Sequence, residues 1–197
     1  YTFRYFQPTH YVITNLYRDQ LTRNGHPQWV YKAIEPSIGP DCTLILNADD
    51  PLVSLFGRGR PNRVVWFGMD RQSFSTDRST GIYDDGKYCP LCRAPMAYDY
   101  YHYNHIGAYR CTRCDFRRPE TAFTVTDADL DAGFLTINGK DRIELAFKSI
   151  YNVYNILACY TVCALAGVDG GDIARSISRY VLKNGRIVNW QYQTMHG

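Results

Sequence analysis

The sequence lacks the features of a membrane-spanning or secreted chain. It contains no uncharged apolar run of the ~18 residues that a spanning helix needs, and its first residues have no signal-peptide core. The sequence also has no large excess of positive or negative charge, since 22 Lys and Arg against 19 Asp and Glu leave a formal net charge of +3. This weak balance does not by itself indicate a nucleic-acid or membrane-surface partner.

Two further absences concern chemistry. The sequence has no Gly-x-x-x-x-Gly-Lys-Ser/Thr loop, which cradles nucleotide phosphates in many ATP-binding proteins. Its 7 cysteines are an odd number, which does not favour a disulfide framework, and 197 residues can bury a core without disulfides. Because the sequence begins at Tyr1 and not at methionine, we expect it to be a fragment of a longer chain.

The first part of the chain alternates between strand and helix patterns. Short apolar runs at 10–14, 43–46 and 63–67 predict buried strands. Between the first two, apolar residues at helical spacing from Trp29 to Ile34 predict a helix bounded by prolines. Continuous apolar strands separated by helices predict a mostly parallel sheet covered on both faces, so residues 1–72 are interpreted as the first part of an α/β domain.

The alternation stops at about residue 73 and resumes after residue 126, which predicts an inserted module over 73–126. Beyond it, two apolar segments joined by Asn138-Gly139 predict a hairpin. A helix over 152–166, with Cys159 and Cys163 on its buried face, and a final helix around Ile177 complete a second part of the same domain, 127–182.

The inserted module carries the strongest chemical signal, which is two Cys-x-x-Cys pairs. Cys89 and Cys92 form the first pair, Cys111 and Cys114 form the second, and 18 residues separate the pairs. Two such turns joined by a hairpin bring four thiolates into a tetrahedron, so the spacing predicts a structural Zn²⁺ site that folds the module. A pair of redox dithiols is the alternative, and His102 and His105 are less favoured ligands because four cysteines already complete a site.

The same module is rich in arginine and tyrosine, which suits stacking on nucleic acid. The residues concerned are Arg110, Arg113, Arg117 and Arg118 with Tyr100, Tyr101, Tyr103 and Tyr109. Nearby aspartates and Glu120 dilute the positive charge, so we expect a hairpin that packs on its own domain and no nucleic-acid partner. A non-catalytic ribbon that binds RNA or protein stays the alternative function.

Three polar clusters follow predicted strands or open a helix, at 15–21, 47–51 and 151–155. Ligands of open α/β sheets bind at the carboxyl ends of strands, where aspartates can hold Mg²⁺ and asparagines can contact an adenine edge. Each cluster alone is better explained by turns and caps than by a ligand, since Asp50 before Pro51 is a favourable N-cap.

In this order, the three clusters resemble the central ATPase domain of the Mur ligases. One branch of this family, the ligase subunits of lipid II isoglutaminyl synthase, carries a four-cysteine ribbon between the second and third clusters, and this sequence resembles that branch. The resemblance covers nearly the whole chain. It implies a Mur-ligase-like, P-loop-type α/β fold, with 183–197 as a hinge toward a C-terminal ligase domain outside the sequence.

The resemblance also implies an activity. Such enzymes use ATP and Mg²⁺ to convert the α-carboxylate of D-glutamate in lipid II into an acyl phosphate, which ammonia from a GatD-like glutaminase partner converts into D-isoglutamine. This reaction of peptidoglycan biosynthesis implies a bacterial, cytoplasmic protein at the inner face of the membrane. Because the phosphate-binding loop and the catalytic carboxylate are absent from the sequence, we expect this chain alone to be inactive.

Residue by residue, the resemblance implies nucleotide contacts for Asn155, Asn152 and Arg186. It implies that Gln20 occupies the position of a metal-binding histidine. A further set is implied in the magnesium and nucleotide vicinity: Asn15, Asp19, Asp49 and Asp50. Three positions depart from the family pattern, at Thr22, Ser149 and Val188.

Overall fold

The main sheet of the described residues has four short parallel strands, and two antiparallel strands extend it at one edge. The structure, a computed structural model, describes residues 7–17, 27–81, 83, 85–146 and 148–180. The order across the sheet is β1-β2-β3-β6-β7-β8, and β1, β2, β3 and β6 run parallel. These strands are β1 His10–Ile13, β2 Thr43–Asn47, β3 Val64–Met69, β6 Phe123–Asp129, β7 Phe134–Ile137 and β8 Asp141–Glu144. The predicted α/β class with a mostly parallel sheet is confirmed.

Helices cover both faces of this sheet, as predicted. They are α1 Pro27–Ile34, α2 Ile150–Leu165 and α3 Gly170–Ser178, with 3₁₀ helices at Glu35–Ser37 and Val53–Gly57. Successive side chains of a strand point to opposite faces. Accordingly Leu44 and Leu46 belong to one apolar cluster and Ile45 to the other, and all three are fully buried.

The helix α2 packs on the sheet through Val153, Leu157 and their neighbours, and it ends where Gly167 takes a φ of 87°. Cys163 is half-buried against this core. Cys159 is exposed, so its predicted burial is wrong. Among the described residues, no helix is long and apolar enough to cross a membrane.

The predicted hairpin at Asn138-Gly139 is confirmed between β7 and β8. Both residues have positive φ, 52° and 67°, which is the backbone of the tight turn that the Asn-Gly pair favours. The strand β6 was not predicted. It begins at Phe123, within the range interpreted as the inserted module, and its hydrogen bonds join β3 of the main sheet.

The inserted module forms a separate antiparallel hairpin of β4, Met96–Tyr103, and β5, Ile106–Cys111. Its turn passes through Asn104, which has a φ of 47°. A small buried cluster lies at the cysteine end of this hairpin, formed by Cys89, Ala94, Tyr109, Cys111 and Phe116. We call this module, residues 73–122, the ribbon.

Candidate functional site

The two Cys-x-x-Cys turns meet, as their spacing predicted. All four Sγ atoms lie within 4.8 Å of one another, with Cys89–Cys114 at 3.6 Å and Cys92–Cys111 at 3.4 Å. A tetrahedral zinc with Zn–S bonds of ~2.3 Å separates its sulfurs by about 3.8 Å, so the arrangement fits this metal. A closed set of four thiolates leaves no position for a substrate or a water.

Local backbone geometry explains why each turn presents its sulfurs inward. Arg93 takes a φ of 63° and its N–H donates to the Cys89 carbonyl, which closes the first knuckle. In the second knuckle, the N–H groups of Arg113 and Cys114 donate to Cys111 Sγ. The backbone N–H of Ala94 lowers the pKa of Cys92 to about 6, which favours the thiolate that metals bind.

Neither ribbon histidine joins this cluster. His102 is buried, and its Nε2 lies 3.1 Å from the Met69 carbonyl oxygen while its Nδ1 lies 3.0 Å from Ser75 Oγ. A carbonyl only accepts, so Nε2 carries the proton and Nδ1 accepts from the serine hydroxyl. Burial lowers the pKa of His102 despite the nearby Asp49 carboxylate, which keeps the ring neutral.

Asp49 lies at the carboxyl end of β2 and is fully buried. Its Oδ1 accepts from Arg118 Nε at 2.5 Å, and its Oδ2 accepts from the Met69 N–H and the Tyr154 hydroxyl, both at 2.7 Å. Its carbonyl accepts from the Gly107 N–H of the hairpin at 2.9 Å. One carboxylate therefore joins the sheet, the ribbon and α2.

Asp50 is also fully buried, and it joins a second set of segments. Its Oδ1 accepts from the N–H groups of Leu52 and Val53, at 2.8 and 3.2 Å, which caps the following turns as the sequence suggested. Its Oδ2 accepts from the Leu16 N–H at 2.8 Å, just beyond β1. His105 Nε2 lies 3.6 Å from Asp50 Oδ1.

All four carboxylate oxygens of this pair therefore have donors within the protein. Sequence reasoning placed both aspartates in the vicinity of magnesium, where a ligand needs free oxygen lone pairs. The geometry instead favours a supporting role, in which they fix the strand ends. Asn15 is half-exposed beside them, with its Nδ2 3.2 Å from Thr14 Oγ1. Asp19, Gln20 and Arg186 lie outside the described residues.

The two asparagines that were predicted to belong to the nucleotide site lie near the start of α2. Asn155 is exposed and Asn152 is half-buried, while Tyr154 between them points to Asp49. The N-cap residue Ser149 makes no side-chain hydrogen bond to the helix. The Asn152 N–H donates to the Ser149 carbonyl oxygen at 2.9 Å, and the positive dipole end of α2 has no cap from the Ser149 side chain, which favours an anion there.

A cavity of about 290 Å³ lies beside this helix start, between α2, the segment after β1 and the ribbon. Its lining is mostly aromatic and polar: Tyr17, Gly81, Tyr83, Asp85, Asn104, His105 and Tyr151. Sequence reasoning missed this cavity because its walls come from four distant segments. The unusual tyrosine content, 17 residues, was its only signal.

Most of the arginines that suggested nucleic-acid binding have partners within the protein. Arg110 pairs with Asp99, Arg113 donates to the Cys92 carbonyl and Arg118 pairs with Asp49. Such pairs neutralise the charge that would attract phosphates. The ribbon therefore resembles a module that packs on its own domain.

Comparison with known proteins finds relatives over most of the chain, although no family model matches it. The chain is 34% identical over 182 residues to the lipid II isoglutaminyl synthase (glutamine-hydrolyzing) subunit MurT of Staphylococcus aureus (strain COL), covering 91% of this chain and 40% of that protein. It is 28% identical to the subunit of the same name from Streptococcus pneumoniae (strain ATCC BAA-255 / R6), covering 98% of this chain and 42% of that protein.

A solved structure is also similar. The pseudomurein peptide ligase type C from Methanothermus fervidus superposes with a TM-score of 0.71 and 28% identity, over 88% of this chain and 34% of that chain. The chain thus spans about two fifths of the length of the curated relatives it matches.

Proposed function

Because the chain belongs to the Mur ligase family and is close to the MurT subunits, we propose that it is the central domain of the ligase subunit of a lipid II isoglutaminyl synthase. The observation that carries this proposal is the 34% identity to a MurT subunit over 91% of the chain, ribbon included. In this role the domain binds ATP and Mg²⁺ for peptidoglycan biosynthesis in the bacterial cytoplasm, at the inner face of the membrane.

The reaction needs activation because a carboxylate is a poor electrophile. The α-carboxylate oxygen of D-glutamate in lipid II attacks the γ-phosphorus of ATP, and ADP leaves. Ammonia, released from glutamine by a GatD-like glutaminase subunit, attacks the acyl carbon, and phosphate leaves to give D-isoglutamine. The protein contributes mainly by holding the reactants in place and stabilising the phosphoryl charge.

Within this domain, Asn155 and Asn152 at the start of α2, together with Arg186, hold the nucleotide. Asn15, Asp19 and Gln20 lie in the vicinity of its Mg²⁺. Asp49 and Asp50 support this edge of the sheet from beneath, since their oxygens already accept protein hydrogen bonds. The four ribbon cysteines hold a structural Zn²⁺.

The test uses the full native chain together with its glutaminase subunit. Wild-type protein should amidate lipid II in a reaction that requires ATP and either glutamine or ammonia, followed by mass spectrometry. Asn155→Ala should raise the KM for ATP by about fivefold or more, the discrimination expected of a two-point amide contact to adenine.

The exposed Cys159 on the same helix provides a matched control. Cys159→Ser should leave both kcat and the KM for ATP unchanged. A well-folded wild-type complex that consumes no ATP in the presence of lipid II and ammonia would overturn the proposed function.

A further inference from the structure

The two ends of the ribbon hairpin have different surroundings. At the turn, the Tyr103 ring packs on the main domain, with its centroid 4.7 Å from that of Tyr151. At the cysteine end, the Tyr109 and Ser54 hydroxyls form a hydrogen bond and Leu55 packs on the buried cluster. The length of β4 separates the two ends by about 23 Å, since a strand rises ~3.3 Å per residue. The cysteine end therefore lies away from the proposed nucleotide site at the start of α2.

Strand pairing shows which side of the cysteine end faces the solvent. Residues directly opposite each other in a sheet share a face, and neighbours along a strand alternate between faces. The buried Cys111 lies opposite Met96, so these two side chains define the inner face, towards the main domain. The alternate positions form the outer face, which consists of Tyr88, Pro95, Ala97, Arg110, Thr112 and Arg117. All of these except Ala97 are exposed, so the outer face has no cover in the part of the chain that the structure describes.

Apolar and cationic side chains occur together on this side of the ribbon. Tyr88 is 57% exposed, and Leu91 in the first cysteine turn is 46% exposed. The Lys87 ammonium lies 5.9 Å from the centre of the Tyr88 ring. Arg93 and Arg117 are exposed, and neither pairs with a carboxylate in the described part of the chain. We call these five residues the basic-apolar surface.

Positive charge is in excess around this surface. Residues 86–98 and 105–114 include four Lys and Arg and no Asp or Glu. Asp99 and Asp115, which follow these segments, already pair with Arg110 and Arg58. Four thiolates with a Zn²⁺ carry a net charge of −2, which leaves the sum positive. The surface therefore suits an anionic partner that also accepts apolar side chains.

We propose that the basic-apolar surface docks on the anionic phospholipid surface of a membrane. Lys and Arg close to such a surface are attracted by its negative potential. Tyrosine favours the level of the headgroups, and an exposed leucine gains free energy by entering the boundary with the acyl chains. The inference deepens the proposed function and rests on it for the choice of partner, because lipid II is itself a lipid-linked substrate.

The side chains of this surface favour a membrane over nucleic acid, the other common anionic partner. Proteins bind single-stranded nucleic acid by stacking successive bases on aromatic rings. Tyr88 is the one aromatic ring of the basic-apolar surface, whereas Leu91 suits acyl chains and cannot stack on a base. Docking through the cysteine end also leaves the turn of the hairpin, and with it the proposed nucleotide site, clear of the bilayer.

The first test measures the apolar contribution. The full native chain, loaded with zinc and together with its glutaminase subunit, is sedimented with vesicles of phosphatidylglycerol and phosphatidylcholine in equal parts. We expect binding to these vesicles and much less binding to vesicles of phosphatidylcholine alone. Leu91→Gln should lower the partition coefficient by about fivefold or more. Val168, which is 47% exposed in the main domain, gives the matched control, and Val168→Gln should bind as the wild type does.

A second set of variants measures the electrostatic contribution. Arg93 has a φ of 63°, which glycine adopts without strain, so Arg93→Gly should keep the cysteine turn. Arg93→Gly and Arg117→Gln should each lower binding to the anionic vesicles by about fivefold, the effect of one charge near such a surface. Arg179, exposed at the end of α3, is the control, and Arg179→Gln should not change binding. Binding of the wild type should fall in ~1 M salt, where the Debye length is about 3 Å.

Docking should also change the kinetics in a way that a purely structural role does not. With lipid II in the anionic vesicles, Leu91→Gln should raise the KM for lipid II by a similar factor and leave kcat and the KM for ATP unchanged. With lipid II in neutral detergent micelles, the same variant should match the wild type in all three quantities.

The outcomes separate this inference from the proposed function. Wild-type protein that amidates lipid II but binds anionic and neutral vesicles equally overturns the membrane surface and leaves the ligase intact. Vesicle binding that Leu91→Gln and Arg93→Gly leave unchanged has the same meaning. Vesicle binding that both variants weaken, without any amidation of lipid II by the wild type, supports the membrane surface and overturns the ligase.

Two further results would assign the same side chains another role and overturn the inference. If Arg93→Gly loses zinc while its zinc-loaded form binds vesicles normally, the arginine only balances the charge of the thiolates. If the wild type binds single-stranded RNA and not vesicles, and Arg93→Gly and Arg117→Gln lose that binding, the surface recognises nucleic acid.

Discussion

The main α/β domain and the ribbon reach a stable fold by different means. The main domain buries large apolar side chains completely, among them Leu44, Leu46 and Phe67, each of which contributes about 1.5–3 kcal/mol by burial. The ribbon has one small cluster of its own with five buried residues, and two of these are cysteines of the four-cysteine group. The difference favours a main domain that folds on apolar burial alone and a ribbon that needs the Zn²⁺ proposed for its four cysteines.

Removing the metal should therefore destabilise the ribbon much more than the main domain, and this is the largest effect that we expect. Structural zinc contributes ~10–16 kcal/mol of apparent binding free energy to small metal-folded modules. The small apolar cluster of this ribbon cannot supply that much stability by burial. We expect Cys111→Ser to abolish zinc binding and to unfold the ribbon locally. Hydrogen exchange should show lost protection in β4 and β5 and retained protection in β2 and β3.

The control for this prediction is Cys159→Ser, because Cys159 is the exposed cysteine of α2. This variant should bind one zinc per chain and keep both regions protected. A Cys111→Ser protein whose hairpin amides stay as protected as those of the wild type would show that the ribbon does not need its metal.

A buried ion pair between Arg118 and Asp49 joins the ribbon to the main domain. Arg118 of the ribbon is the cationic partner of the fully buried Asp49, and its own side chain is 18% exposed. Breaking a buried ion pair by removing one partner typically costs about 3–5 kcal/mol, because the remaining charge stays desolvated. We expect Arg118→Met to lower the free energy of unfolding by that amount in urea denaturation.

A second arginine–aspartate pair gives the matched comparison. Arg58 and Asp115 pair on the surface, with side chains 45% and 76% exposed, where such pairs contribute at most about 1 kcal/mol. Arg58→Met should therefore change stability little. Equal losses for the two arginine variants would contradict the structural role assigned to Asp49.

Creating a cavity in the apolar core of the main domain should destabilise that domain and leave the ribbon's metal site unchanged. Leu46 is fully buried in β2, and leucine-to-alanine changes in cores cost about 2–5 kcal/mol. We expect Leu46→Ala to lower the unfolding free energy of the main domain while the zinc content stays at one per chain. Loss of zinc from this variant before the main domain unfolds would show that the ribbon relies on the sheet for its metal site.

Sequence reasoning succeeded where a short pattern determines local structure. A few neighbouring residues are enough to determine each of three features: the Cys-x-x-Cys turns, the Asn138-Gly139 turn and the buried strands β2 and β3. The strand β6 lacked such a pattern, because only Val125 and Ala128 of its seven residues are buried. Its place in the sheet comes from pairing with β3, which no local pattern reveals.

The site was harder to predict than the fold. Asp49 was expected in a metal's vicinity because acidic residues at strand ends often bind one. Its actual partners, Arg118 and Tyr154, are 69 and 105 residues away in sequence. Only the folded chain shows that these donors surround the carboxylate, so sequence chemistry identified an important residue without identifying its contacts.

The smallest expected effect is a pH dependence at His102, where the ribbon meets β3. Burial lowers the pKa of His102 below its ordinary value of about 6.5, so the unfolded chain binds the proton more readily than the folded one. The stabilising contribution of the neutral ring is therefore complete above about pH 6.5 and is lost as the pH falls below it, with a slope of at most ~1.4 kcal/mol per pH unit.

Urea denaturation between pH 5.5 and 7.5 measures this slope as the difference between the wild type and His102→Gln, which does not titrate. The groups facing His102 include Asp49, Asp70 and Arg118, and they remain in both proteins, so their contributions largely cancel. Zinc content must be constant over the range, because ligand protonation would add a second slope. If the two curves run parallel, the ring has equal proton affinity in the folded and unfolded states. In that case the hydrogen bond from Nε2 to the Met69 carbonyl would stabilise the protonated ring enough to offset its burial.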